Sequence, residues 1–353
     1  MRPAEYRPVR ERRAVAGRTR GLVALTAIAV LVVVLVGVLG NSRSPHSAET
    51  ALPPGSAPAR GPARMRSHRL AVVLPSPLQD AASVVLPDGE FLLFGGLNAS
   101  DTSTTAVMAL TRERLSILGR LPLAQHDAQA AMLAGRAYIV GGGEVSSYEH
   151  ILRFDPASGQ VSEVGTLPQP ASDVAVAAVG SSAYVIGGYD GNEALDTILA
   201  WRPGQPARVV AHLPVSLRYA AAAAIGGKVI IVGGTHGETA EDAVLRFDPI
   251  TGRVSEIGRL PTPLTHAAAV TLGSYVYLLG GRRSSATAQT SAVLAIDPGD
   301  GVVTPAGRLP LALSDASAAA VAGHILIAGG EDSAGRTQSS IIVLEAGPAL
   351  ATG

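Results

Sequence analysis

Two marks recur along the chain in fixed phase. Leu-Pro begins at Leu74, Leu121, Leu167, Leu213, Leu260 and Leu309, with spacings of 47, 46, 46, 47 and 49 residues. A Gly pair ends an apolar run at Gly95-Gly96, Gly142-Gly143, Gly187-Gly188, Gly233-Gly234, Gly280-Gly281 and Gly329-Gly330, each 20 or 21 residues after its Leu-Pro. Six phased copies of both marks make the chain a repeat array. A period of this length means stacked or radial copies of one small unit.

Each unit reads as four short strands. In the fourth unit an Ala-rich run, 220–225, precedes Gly226-Gly227 and a strongly apolar run, 228–232, that the Gly pair closes. A polar loop of variable length follows. A third strand, 244–247, leads into Asp248-Pro249-Ile250-Thr251-Gly252, and a fourth, 253–257, leads to the next Leu-Pro. Pro presets φ and Gly accepts φ > 0, so that segment is a turn. Four antiparallel strands per unit, repeated radially, make a propeller blade. A linear β-solenoid has shorter repeats and no four-stranded meander. Small Ala side chains suit the strands crowded at a narrow axis, and the Val/Ile-rich second strands suit packing between blades. The last unit ends at its third strand, 341–345. A spare apolar strand, 69–74, precedes the first Leu-Pro and is expected to supply the missing fourth strand, closing the ring and covering its edges.

The run Tyr184-Val185-Ile186-Gly187-Gly188, the following Tyr189-Asp190-Gly191-Asn192, and Phe154-Asp155-Pro156 ahead of Leu-Pro give the chain its family likeness. Over residues 69–345 it resembles kelch-repeat proteins. The resemblance implies an all-β, six-bladed kelch-type β-propeller with four antiparallel strands per blade. The fourth-strand Trp common in that family is absent; Leu115, Val161, Val254 and Val303 stand there instead. A WD40 reading fails on the longer period and the lack of Trp-Asp.

Ahead of the array, residues 21–40 carry no charge and are long enough, as a helix, to cross a bilayer core of about 30 Å. Residues 1–20 hold seven Arg against Glu5 and Glu11, and only Arg43 follows within the next 15 residues. That asymmetry predicts a cytoplasmic basic tail, one transmembrane helix at 21–40 and an extracytoplasmic body. The competing reading is a cleaved signal peptide, whose apolar region is normally shorter; it also exports the body. Residues 41–68, with five Pro, read as a disordered spacer, and 346–353 as a C-terminal tail.

Composition excludes several functions. The chain has no Cys, so disulfides and thiolate chemistry are absent. Of 28 basic and 28 acidic residues, 21 and 26 remain after residue 20. A mildly acidic body leaves no electrostatic footprint for nucleic acid. No P-loop, dinucleotide fingerprint, G-x-S-x-G, H-E-x-x-H or EF-hand pattern occurs, and no cofactor or metal is called for.

Strand alternation puts the chain segments leading into the first strands on the same face as the variable loops, the expected binding face. Six residues after each Leu of Leu-Pro stand Asp80, Asp127, Asp173, Tyr219, His266 and Asp315. Phase places them, with the preceding His126 and Arg218, at the mouth of the central channel. One reading is a ligand site for a cation or a polyhydroxylated molecule. The other is that they satisfy backbone groups and water where the first strands begin. Four carboxylates so close require a cation, Arg218 or protonation. In the variable loops Arg282-Arg283 offers a clamp for an anion.

Two functions compete. One is a membrane-anchored, non-catalytic binding module for a protein or envelope polysaccharide. The other comes from the resemblance, since six-bladed kelch proteins include exported sialic-acid mutarotases with acidic and Arg groups in a central pocket. Copper radical oxidases also carry kelch units, but their Cys–Tyr crosslink is impossible here. A deep pocket with paired Arg and carboxylate favours the enzyme; a shallow, loop-covered face favours the binder.

Overall fold

A computed structural model of the chain describes residues 61–285 and 287–347. The basic tail, the apolar stretch 21–40, spacer residues 41–60 and residues 348–353 lie outside the described residues. Among the described residues all regular structure is β, and no helix is long and apolar enough to cross a membrane.

The third, fourth and fifth units each form a four-stranded antiparallel sheet in chain order. The fourth unit is Ala221–Ile225, Lys228–Val232, Ala243–Asp248 and Arg253–Arg259. The first two units share one seven-stranded sheet because a single strand, Leu115–Leu133, is the outer strand of one and the inner strand of the next. The Leu121-Pro122 break expected here does not interrupt the strand. Pro122 falls between the pairs Ala106–Arg120 and Thr104–Gln125, where the register shifts and no ladder donor is required.

The last sheet joins the two ends of the array. Ser317–Val321, His324–Ala328 and Ser340–Ala346 are followed outward by Met65–Val73. Met65 pairs with Ala346 and Arg69 with Ile342. The N-terminal strand therefore starts four residues earlier than 69, inside the segment expected to be spacer. The cause is burial: Met65, 4% exposed, enters the cluster formed by Leu309, Ile325, Ile342 and Leu344.

Apolar side chains interleave between sheets. Ile230, Val232 and Val244 of the fourth unit pack against Val276, Leu278 and Ile296 of the fifth. Phe91 and Leu93 of the first unit pack against Leu326 and Ile341 of the last. Each fully buried Val, Leu or Ile contributes about 1.5–3 kcal/mol, so the array is held by seams as much as by ladders. The inner strands leave a narrow axial space of about 90 Å³ lined largely by Ala, including Ala221, Ala268 and Ala318. This β-propeller arrangement explains the Ala-rich runs: longer side chains would not fit.

The Gly pairs have a specific cause. Gly233 and Gly234 have φ of 60° and 103°. A Cβ on Gly233 would overlap the Leu264 carbonyl oxygen of the next unit. The Gly234 N–H donates to that same carbonyl at 3.0 Å. The contact recurs at each seam, from Gly96 onto Gln125 to Gly330 onto Leu78. In the second unit the pair in this conformation is Gly141-Gly142, at φ 66° and 90°, one residue earlier than Gly142-Gly143. Three consecutive glycines had concealed the register.

Candidate functional site at the channel mouth

Asp80, Asp127, Asp173, Tyr219, His266 and Asp315 all have left-handed backbones, with φ between 53° and 59°. Five mark the sharp turn into an inner strand, and Asp127 lies within the continuous strand Leu115–Leu133. Asp and His tolerate this region; Tyr visits it less readily. The N–H of each donates to the carbonyl of its predecessor. The bonds run from Asp127 to Asp80, Asp173 to Asp127, Tyr219 to Asp173, His266 to Tyr219, Asp315 to His266 and Asp80 to Asp315, at 2.9–3.2 Å. The six residues singled out by phase are thus brought together on one circle of backbone hydrogen bonds. Their side chains line a space of about 70 Å³.

The aspartates meet in pairs. Burial, then the charges of Asp315 and Asp127, hold Asp80 well above the usual carboxylate range, and it shares a hydrogen bond with Asp315. Burial, then Asp173, does the same to Asp127, which hydrogen-bonds Asp173. Asp315 is pushed up to about 6 by burial, against the opposing pull of Arg282 and Ser314. Ser314 Oγ donates to it at 2.5 Å. Protonation therefore relieves much of the repulsion between the four carboxyl groups.

Arg218 relieves more. Its Nε donates to Asp173 Oδ2 at 2.5 Å, with the Asp173 side chain 2% exposed. Its guanidinium lies 4.1 Å from the Tyr189 ring centroid and 5.1 Å from that of Tyr219. Tyr219 stacks on His266 at 3.8 Å. Arg282 Nη2 donates to His266 Nε2 at 2.9 Å, so the imidazole accepts there and its Nδ1–H points to Thr265 Oγ1, also at 2.9 Å. Thr265 in turn bonds Thr235 at 2.7 Å. Burial, then Arg282 and Arg218, push His266 down to about 2 and keep it neutral. His126 bonds Ser103 Oγ at 2.9 Å and lies 3.5 Å from Asp127; burial lowers its pKa.

Sequence reasoning missed two members. Tyr189 entered only through the family likeness, and Arg282 only with Arg283 as an anion clamp in the variable loops. The structure turns Arg282 inward onto His266. Both stand immediately after a Gly pair and form an isolated bridge with the residue preceding a ring position, Ser172 with Tyr189 and Thr265 with Arg282. That constant phase was the available signal. Among the loop residues, Asp332 turns instead to Arg336 and Gln338. Among the described residues no three His, Asp or Glu side chains converge to hold a metal.

The sequence profile of the family described as the KLHDC2/KLHL20/DRC7 Kelch-repeats domain matches residues 80–281. No curated protein matches the chain. Among solved structures, one described as "Structure of YjhT" superposes with a TM-score of 0.67 at 14% identity, covering 77% of this chain and 96% of that one. At that identity the likeness is one of fold.

Proposed function

The chain belongs to the kelch-repeat family, and from that premise we propose a six-bladed, ring-closed propeller that serves as a membrane-anchored, extracytoplasmic binding module. The six-membered circle of backbone hydrogen bonds and the pairing of Met65–Val73 with Ser340–Ala346 support the blade count and the closure. The anchor rests on the uncharged stretch 21–40 and the Arg excess before it. The partner is a protein or an envelope polysaccharide met by the variable-loop face.

One observation favours binding over catalysis: the mouth groups are engaged with one another. Arg218 is on Asp173, Arg282 is on His266, and about 70 Å³ remains. Small-molecule sites normally enclose about 300–1,000 Å³. A sugar would find neither room nor a free guanidinium, whereas a partner on the loops needs neither.

The test uses the full chain in cells with a photo-crosslinking residue at Val145, 98% exposed on a variable loop, or at Ile250, 87% exposed on an Asp-Pro turn of the opposite face. A discrete adduct from position 145 and none from 250 is expected. Adducts from neither, or an acidic-sugar mutarotation by the purified chain that Arg218→Ala abolishes, would overturn the reading.

A further inference from the structure

The repeat departs from its own pattern at the turn of the third unit. In the fourth unit the first residue of the second strand, Lys228, pairs with the turn residue Asp248 at 2.7 Å. The same two positions in the third unit are Ser182 and Arg202. Arg202-Pro203 stands where other units have Asp155-Pro156, Asp248-Pro249 and Asp297-Pro298. The turn carboxylate has become a guanidinium, and the cation that would have faced it has become a hydroxyl.

Arg202 Nε donates to Ser182 Oγ at 2.7 Å, with Ser182 2% exposed. Among the described residues neither Arg202 nor the nearby exposed Arg208 forms an ion pair. These two arginines, with Tyr184, Gln205 and Pro249 of the next unit, line a surface pocket of about 100 Å³ at the seam between units three and four. No Asp or Glu lines it. Two other charged pockets differ, since carboxylates and cations share them: Asp332 and Arg336 in one, Lys228 and Asp248 in the other. Tyr184 is fixed edge-on against Phe247 at 5.3 Å, so its phenol is held in place at the pocket wall.

We propose that this pocket binds a compact tetrahedral oxyanion, phosphate or sulfate, free or carried on an envelope polymer. Two guanidinium groups with no carboxylate neutralising them are matched by such an ion, because charge-assisted N–H···O bonds are short, strong and met in pairs by planar donors. The Ser182 contact orients Arg202 through Nε and leaves its terminal nitrogens for the ligand. At about 100 Å³ the pocket holds the anionic group rather than a sugar ring.

The experiment is isothermal titration of the detergent-purified full chain with inorganic phosphate, inorganic sulfate and a glycerol-phosphate polymer. Saturable binding is expected, weakened at least tenfold by Arg208→Gln and by Arg202→Gln, and unchanged by Arg253→Gln on the neighbouring turn. Arg208 is exposed and free of ion pairs, so its replacement tests the site without endangering the fold. Tighter binding of the polymer than of the inorganic ions identifies the polymer as the source; equal affinity identifies the free ion. No saturable heat with any of the three, or full affinity in both pocket variants, overturns the proposal.

Discussion

At the residue scale the channel mouth and the Gly pairs decide most. The two kinds of titrating group in the ring pull in opposite directions. Asp315 is raised to about 6, and Asp80 and Asp127 well above the usual range. Groups raised in this way stabilise fully below the unfolded carboxylate pKa of about 4, and that stability is lost as pH rises through the folded values. His266, lowered to about 2, acts inversely: the unfolded chain takes up its proton below about 6.5 and the native one does not, so stability falls on acidification. Calorimetric melting against pH should therefore show a falling limb on each side. Asp80→Asn with Asp127→Asn keeps a residue that tolerates the left-handed backbone and donates a hydrogen bond at every pH. It should flatten the alkaline limb and leave the acid limb. His266→Gln should flatten the acid limb. An alkaline limb unchanged in the double Asn variant would show that the ring carboxyls are not the titrating groups. A second prediction compares two glycines. Gly233→Ala meets both φ 60° and the Leu264 carbonyl, whereas Gly226→Ala, at φ 56°, meets open space. Left-handed Ala costs about 1–2 kcal/mol and overpacking about 1–3 more. Urea unfolding should show a loss near 1 kcal/mol for Gly226→Ala and about 3 kcal/mol or more for Gly233→Ala. Equal losses would mean that the seam yields.

At the element scale the N-terminal strand is the critical piece. Met65–Val73 covers the edge of Ser340–Ala346, and Leu74, 2% exposed, bonds on to Ser339. The segment just before it is also engaged, since the Arg64 carbonyl accepts from Gly347 and the Ala63 carbonyl from Tyr277. A fragment starting at Gln79 loses these ladder bonds, each worth about 0.5–1.5 kcal/mol net, together with the burial of Met65 and Leu74. It leaves an open strand edge that pairs with other chains. It should aggregate or melt far below a fragment starting at Gly61. Two monomeric fragments with equal melting temperatures, by gel filtration and calorimetry, would refute the closing role of this strand.

At the scale of the whole molecule the prediction concerns topology. Seven Arg ahead of an uncharged 21–40, with only Arg43 soon after, hold the amino terminus in the cytoplasm if that stretch spans the bilayer. An alkaline phosphatase reporter fused after Gly353 should be active, and a cytoplasmic fluorescent reporter dark. The reverse pattern would place the propeller inside the cell. The two faces of the body would then meet a different set of partners, and the crosslinking comparison between Val145 and Ile250 would have to be repeated there.

What was legible in the sequence was whatever a repeat states locally. Strand order, the Ala-rich inner runs and the phase of the six ring residues follow from patterns within a few residues that recur from unit to unit, and the Asp-Pro turn from one that occurs in three units. Even the pairing of the array's two ends could be expected, because one unit lacked a strand and one strand lacked a unit. Tertiary structure alone decided which charges neutralise which. Arg218 reaches Asp173 and Arg282 reaches His266 across 45 and 16 residues of chain, and those choices depend on the rigid circle of backbone bonds that fixes where each side chain starts. The small volume left at the mouth, the uninterrupted strand through Pro122 and the acid-free pocket at Arg202 have the same origin. Each is set by how neighbouring units meet, and no single unit contains that information.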